Sequence, residues 1–151
     1  MTELVTDNIR QWIGRSSPSV EFEVSRRDII KYSIATQQQQ DKYLSGDEAP
    51  PMFLFGADRP LSRLDELGPD GLRRDGLMPE LPLKRVMAGG IKQRYHRPVK
   101  PGDKLTITRT IADIFEKQGS SGPLIFIVYD LTVVDDNDQL VMRETQTRIN
   151  R

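Results

Sequence analysis

The chain has 151 residues, of which 36% are hydrophobic and 29% charged, and its 22 basic and 22 acidic residues leave a formal net charge of zero. This length suits one domain over residues 1–151, and the apolar content is too high for a disordered chain. The balanced charge excludes a strongly basic nucleic-acid-binding protein, and the absence of cysteine excludes disulfides, thiol nucleophiles and thiolate metal sites.

The N-terminus and the rest of the chain also bear on location. The chain has no apolar run of the length needed to cross a membrane. Residues 1–8 contain acids and no apolar stretch typical of a signal peptide. We therefore expect a cytoplasmic protein with no membrane partner.

The first quarter of the chain predicts a helix, a strand and a second helix. Apolar residues recur at helical spacing over residues 2–13 and predict an amphipathic helix. Residues 19–25 alternate between apolar and polar, which is typical of a half-buried strand. Ser25 is suited to cap the next helix, with Asp28 at the third helical position, and we expect that helix to end near Thr36.

The middle of the chain predicts irregular structure. The glutamine run at 37–40 indicates a helix end or an exposed loop. The apolar residues 51–55 predict either a short helix or a buried extended piece. Residues 56–82 contain many Gly, Pro, Asp and Arg residues and form a long connection, a type of segment that is often functional. Two short helical turns are expected within it, near 61–67 and 71–74.

The C-terminal half predicts antiparallel strands. Four strands are expected, at residues 84–98, 103–116, 123–135 and 139–149. Ile114 breaks the alternation of the second of these, which predicts a bulge. The loop 117–123 and the turn 135–138 would close successive hairpins. Residues 124–129 are apolar at every position, as expected for a central strand covered on both faces.

Several short segments match a known family in their order along the chain. They are Ile13–Arg15, Val24–Ile29, Tyr32–Thr36, Ala49–Phe53, Asp75–Pro82, Met87–Gly90, Pro98–Asp103, Glu116–Lys117, Gly119 and Gly122. Together they resemble the MaoC-like (R)-specific hydratases and dehydratases over most of the chain. The segment from Leu81-Pro82 to Met87–Gly90 is especially similar to the N-terminal half of two-domain mesaconyl-type and mitochondrial-type acyl hydratases. The resemblance implies an α+β hot-dog fold, an antiparallel sheet wrapped around a central helix, and chemistry at the 2,3-bond of an acyl thioester.

The catalytic motif of that family is missing. Hydration needs a base to activate water and an acid to protonate the α carbon, and the family supplies them from a Thr-Gly-Asp-x-Asn-Pro-x-His type of motif. The matching part here, Tyr32–Thr36, keeps the Ala-Thr lead-in, but the Asp-x-Asn-Pro core and the histidine are absent. The weak catalytic candidates are Asp41 and Asp47, the nearest downstream aspartates, and His96, the only histidine. A structural or exposed role for His96 is favoured, and no metal site is predicted.

The resemblance implies a binding role for the non-catalytic half. In the family this half pairs with a catalytic hot-dog and helps to bind the acyl chain. The apolar Met52, Phe53 and Phe55 would then line an acyl tunnel, although such a cluster also suits a plain core.

Two further features suit substrate binding. The small residues Ala88, Gly89 and Gly90 would let a thioester or a partner backbone approach closely, or would form a strand bulge. Arg94 begins a basic run, 94–97, that would hold the phosphates of coenzyme A or phosphopantetheine, or would be a solvated face.

Three functions stay open from the sequence. The first is an acyl-thioester-binding subunit of a hydratase or dehydratase that pairs with a catalytic hot-dog. The second is a self-sufficient homodimeric enoyl-CoA hydratase, in which Asp41 or Asp47 acts with His96 of a neighbouring subunit. The third is an acyl-CoA-binding module without chemistry. All three take an acyl-CoA or acyl-carrier-protein thioester and no cofactor, and a homodimer or heterodimer is expected because an isolated hot-dog leaves a sheet edge unpaired.

Overall fold

One antiparallel sheet with a few short helices makes up the fold, and the computed structural model describes residues 3–151. In chain order the elements are α1 (Asp7–Arg10), β1 (Val20–Glu23), α2 (Arg26–Ala35), α3 (Asp41–Leu44), a 3-10 turn (Leu64–Glu66), β2 (Val86–Tyr95), β3 (Lys104–Gly119), β4 (Gly122–Asp135) and β5 (Leu140–Asn150). The strand order is β1-β3-β4-β5-β2, so β1 and β2 are the edge strands. The predicted α+β class and all five predicted strands are confirmed.

The strand bounds differ from the prediction mainly at one hairpin. β3 and β4 pair as far as Gly119 and Gly122, which leaves a two-residue turn at Ser120 and Ser121. The predicted loop 117–123 is therefore shorter than expected. The glycine-rich sequence suggested irregular backbone there, but such residues also suit a tight hairpin turn.

The start of α2 is as predicted. The Ser25 hydroxyl accepts a hydrogen bond from the Asp28 backbone N–H at 3.0 Å, and Ser25 itself has extended backbone angles. This satisfies one of the free N–H groups at the helix start. The inner face of α2 buries Ile29 and Ser33 completely.

The predicted N-terminal helix is mostly wrong. Only α1 is helical, residues 11–14 form turns, and residue 2 lies outside the described residues. The chain leaves the helix because the Gly14 N–H donates to the Ile111 carbonyl and the Ile111 N–H donates to the Arg15 carbonyl. These bonds to β3 replace helical bonds, which are marginal in so short a segment.

Two predictions for the middle of the chain are also wrong. Residues 51–55 form consecutive turns, neither helix nor extended strand, because Met52 has a φ of 69° that suits neither. The 3-10 turn confirms the helical turn expected within 61–67. The turn expected at 71–74 is absent: Gly71 is a bend with a φ of 73°, which a right-handed helical turn excludes, and Arg73 forms an isolated β-bridge with Leu67.

The sheet has a bulge in β3, as predicted. The register shifts between Ile111 and Asp113, and this lets Ile111 and Ile114 both point into the core, at 0% and 3% exposure. β4 is the central strand, as expected, but its two faces differ in burial. The buried face carries Ile125, Ile127, Tyr129, Leu131 and Val133. The other face is only half-buried in the single chain, so the expectation of cover on both sides is wrong.

The core lies on the inward face of the sheet, which carries the buried residues of β3 and β4. The N-terminal segment crosses this face, and its Leu4 and Val5 N–H groups donate to the Glu116 carboxylate at 2.8 and 2.9 Å. Within residues 3–151, none of the helices has the length and apolarity that crossing a membrane requires.

Candidate functional site

Residues 56–82, here called the connecting segment, help to form two cavities at the sheet. The β1-side cavity has a volume of about 520 Å³, and its lining includes residues 16–20 and 73–77. The β2-side cavity has a volume of about 380 Å³. Its lining is Phe55, Arg59, Leu72, Arg73, Asp75, Val86, Met87, Ala88, Gly90, Ile91, Arg109, Tyr129, Gln146, Thr147 and Arg148. The β2-side cavity is the candidate site, because apolar and polar side chains converge there beside an edge strand.

An ion cluster holds the connecting segment to β3. The Arg109 guanidinium hydrogen-bonds to the Asp75 carboxylate, and its Nε lies 3.9 Å from Asp58 Oδ2. Arg109 also lies over the Tyr129 ring, 4.7 Å from its centroid. Arg109 and Asp75 line both cavities, so this ion pair lies where the two cavities meet.

Tyr129 lies at the back of the site and is 3% exposed. Its hydroxyl donates a hydrogen bond to the Leu77 carbonyl at 3.1 Å, which is a second tie to the connecting segment. Burial raises the pKa of Tyr129 to about 12; the negative charge of Asp75 adds to the rise, and the charges of Arg109 and Arg148 oppose it. The phenol is therefore neutral and a hydrogen-bond donor at physiological pH.

A polar network centred on the buried Glu144 lies next to the cavity on the inward faces of β2 and β5. The Glu144 carboxylate, 2% exposed, accepts hydrogen bonds from the side-chain amides of Gln93 and Gln146. The Tyr95 hydroxyl donates to Gln93 Oε1 at 3.2 Å. Gln146 lines the β2-side cavity, so Glu144 orients an amide that faces the site.

Sequence analysis missed this polar face, although a signal was present. Residues 144, 146, 148 and 150 have the same parity as the buried Met142, and they pair opposite the inward residues of β4. Inward positions of a sheet are normally apolar, so a run of four polar residues there indicates a lined site.

Of the predicted apolar tunnel residues, only Phe55 lines the β2-side cavity. Phe53 packs edge-on against Phe22 and Tyr32, with ring centroids 6.1 and 5.6 Å away. Phe53 therefore belongs to an aromatic cluster between β1 and α2. Met52 is half-buried and lies outside the cavity lining.

The small residues of β2 take two different positions. Ala88 and Gly90 line the β2-side cavity. Gly89 lies at a register shift between them, and a Cβ there would be 2.8 Å from Thr147 Cγ2. The bulge expected at this position is therefore present. Arg94, farther along β2, is exposed and lies outside the cavity lining.

The three catalytic candidates do not line either cavity of the connecting segment. His96 is exposed beside a separate cavity of about 320 Å³, whose lining contains neither Asp41 nor Asp47. Asp47 bonds to Arg26 at 2.5 Å, and the pKa of its carboxyl is lowered by the hydrogen bonds from Arg26 and Ser45. Asp41 is exposed in the first turn of α3.

Comparison with protein families decides the class of the protein. Residues 11–144 match the model of the FAS1-like dehydratase domain region. The chain belongs to this family. The predicted relation to MaoC-like hydratases and dehydratases is thereby confirmed.

Comparison with a curated relative shows how much of a known protein this chain matches. This chain is 26% identical over 141 residues to the mesaconyl-C(4)-CoA hydratase of Chloroflexus aurantiacus. The match covers 88% of the chain and 50% of that protein. The domain thus spans half the length of this relative.

Solved structures confirm the predicted hot-dog fold. The domain superposes with a TM-score of 0.67 and 20% identity on a chain of the C-terminally truncated HadBC (3R-hydroxyacyl-ACP dehydratase) complex of Mycobacterium tuberculosis, covering 97% of this chain and 100% of that one. The MaoC-like dehydratase of Rhodospirillum rubrum gives a TM-score of 0.57 and 15% identity, with 91% of each chain covered.

Proposed function

We propose that this chain is one hot-dog domain that binds the acyl thioester of an enoyl-CoA hydratase or 3-hydroxyacyl dehydratase, and that a second hot-dog domain supplies the acid and base. One observation carries the proposal. The β2-side cavity lies beside an exposed edge strand and combines apolar with polar side chains, yet its lining contains no histidine. The only histidine, His96, lies elsewhere.

The edge strand β2 supports pairing with a second domain. β2 hydrogen-bonds to β5 on one side and has no strand on the other within the described part of the chain. It exposes Val86, Ile91 and Tyr95, at 51%, 41% and 38%. An edge that displays both free backbone groups and apolar side chains favours addition of another strand. Pairing there would place the second domain against the mouth of the cavity.

The comparisons support the same arrangement. The match to half of the Chloroflexus hydratase leaves room for a second half of similar size. The HadBC structure is a complex, and its name assigns it to 3R-hydroxyacyl-ACP dehydration. A domain without its own acid and base is expected to need such a partner.

The residues of this chain would then position the substrate. Phe55, Met87 and Ile91 offer apolar surface for an acyl group. Tyr129 and Gln146 offer neutral polar groups beside it. Proton transfer to and from the α carbon would fall to the partner, which fits the exposed position of His96 outside the cavity.

The test is acyl-thioester binding with the cavity blocked. Ala88 lines the cavity and Ala35 lies exposed at the end of α2, so Ala88→Trp and Ala35→Trp form a matched pair. We expect Ala88→Trp to weaken butyryl-CoA binding by about tenfold or more, measured by calorimetry with and without a partner hot-dog, because the indole fills the cavity. Ala35→Trp should bind like the wild type. Equal binding by all three proteins contradicts the proposed site.

A further inference from the structure

Arginine is unusually dense in the β2-side cavity. Four arginines line it, at positions 59, 73, 109 and 148, against a single lining carboxylate, Asp75. Arg109 is neutralised by Asp75 and by the nearby Asp58. The remaining three form no salt bridge within residues 3–151.

Each of these three arginines has a side-chain interaction with a neutral group. Arg73 Nη1 donates to the Pro60 carbonyl at 2.8 Å. Arg148 Nε donates to Asn150 Oδ1 at 3.2 Å. The guanidinium of Arg59 lies 5.4 Å from the centre of the Phe55 ring. Each of them keeps N–H groups that are available to a ligand, because a guanidinium carries five donors.

Arg148 is the most informative of the three. It is half-buried on the inward face of β5, where alternation would place an apolar residue. Its positive charge also acts on the Tyr129 phenol, as does that of Arg109. A half-buried cation that lines the same cavity as two other cations without salt bridges is electrostatically unfavourable, and a bound anion would relieve the repulsion.

We propose that Arg59, Arg73 and Arg148 form an anion-binding site in the β2-side cavity. The inference deepens the proposed function, on which it rests for the identity of the ligand as an acyl thioester. Guanidinium forks suit both carboxylate and phosphate oxygens. The anion is therefore either a carboxylate at the far end of the acyl group or a phosphate of the carrier.

The first measurement tests the anion site without any thioester. Thermal unfolding is followed in sodium chloride, inorganic phosphate and succinate at equal ionic strength for the wild type, Arg148→Gln and Arg143→Gln. Arg143 is exposed on the same strand and faces outward, so its replacement changes net charge equally. We expect phosphate or succinate to raise the melting temperature of the wild type and of Arg143→Gln, and to raise that of Arg148→Gln much less.

The second measurement identifies the source of the anion. Binding of succinyl-CoA, butyryl-CoA and the two corresponding pantetheine thioesters is compared. Arg148→Gln should weaken both succinyl ligands by about tenfold, and neither butyryl ligand, if the acyl carboxylate occupies the site. If a phosphate occupies the site, Arg148→Gln should weaken the binding of both coenzyme A thioesters equally and leave the binding of both pantetheine thioesters unchanged. Arg148→Lys should restore part of the affinity, since it keeps the charge and loses the fork.

The outcomes separate the two proposals. The anion site is overturned if phosphate and succinate shift the melting temperatures of all three proteins equally and Arg148→Gln weakens no ligand. The proposed function still stands in that case if the chain binds butyryl-CoA. The opposite result is a melting shift in phosphate or succinate that depends on Arg148, together with no binding of any thioester even when a partner hot-dog is present. That result supports the anion site and contradicts the proposed function.

Discussion

Glu144 on β5 and Gln93 on β2 are joined by a side-chain hydrogen bond on the inward face of the sheet, opposite each other in register. A second amide, that of Gln146, bonds to the same carboxylate. Glu144 is 2% exposed and has no salt-bridge partner within the described residues. The hydrogen bonds of the Glu144 carboxylate therefore come from neutral donors. The same carboxylate orients Gln146, the side chain that lines the candidate site.

Removing this carboxylate should destabilise the domain. We expect Glu144→Ala to lower the free energy of unfolding by about 2 kcal/mol or more, because it leaves a buried cavity and deprives two half-buried amides of their acceptor. Urea unfolding at neutral pH measures the change. Glu21→Ala, at an exposed position on β1, should cost less than about 0.5 kcal/mol. A cost for Glu144→Ala as small as that of Glu21→Ala would show that the network contributes nothing to stability.

Two glycines with nearly the same backbone allow a clean test of packing. Gly46 and Gly71 have φ angles of 75° and 73°, but only at Gly46 would a Cβ meet neighbours, 2.8 Å from Arg26 Cγ and 2.9 Å from the Arg26 carbonyl oxygen. We expect Gly71→Ala to cost about 1 kcal/mol for the left-handed backbone alone. Gly46→Ala should cost about 2 kcal/mol more, because the backbone must also move. Equal costs from thermal or urea unfolding would contradict the close packing of Gly46 on α2.

Tyr129 should make stability fall at alkaline pH. Its pKa in the folded chain is about 12, against an ordinary value of 10.0, so the folded state holds this proton more tightly than the unfolded state. The stabilisation is complete below pH 10 and is lost as the pH rises through 12, by about 3 kcal/mol in the limit. Urea unfolding at pH 9 and pH 11.5 should show a larger loss for the wild type than for Tyr129→Phe. An equal loss in both would mean that Tyr129 titrates normally.

The edge strand β2 should mediate association. Ile91 on β2 and Ile13 before β1 are similarly exposed, at 41% and 39%, and lie toward opposite edges of the sheet. We expect Ile91→Lys to weaken homodimer or heterodimer formation by about tenfold or more in analytical ultracentrifugation, because a charge at the apolar edge opposes strand addition. Ile13→Lys should associate like the wild type. The reverse pattern would place the interface at the β1 edge.

The sequence predicted the local features well, because each depends on residues close in the chain. The Ser25 cap needs only Asp28, three residues away, and the β3 bulge follows from the spacing of Ile111 and Ile114. The predicted helix over residues 2–13 failed because the Gly14 N–H bonds to Ile111, nearly a hundred positions later.

The candidate site depends on such distant contacts and was therefore largely missed. The connecting segment is held by the Asp75–Arg109 and Leu77–Tyr129 contacts, which no local pattern specifies. The inward polar residues of β5 could have been predicted from their parity with Met142. The sequence could not predict that these β5 residues line the same cavity as Arg59 and Arg73, because an irregular segment brings those two side chains to the sheet.

The most direct measurement is hydration of crotonyl-CoA, followed by loss of the enoyl thioester absorbance. The purified chain is assayed alone and then with a hot-dog protein that carries the Asp and His motif, such as one encoded by a neighbouring gene. We expect no turnover by the chain alone, turnover in the mixture, and the same turnover when His96→Ala replaces the wild type. Hydration by the chain alone that His96→Ala abolishes would contradict a binding role and would make this chain a complete hydratase.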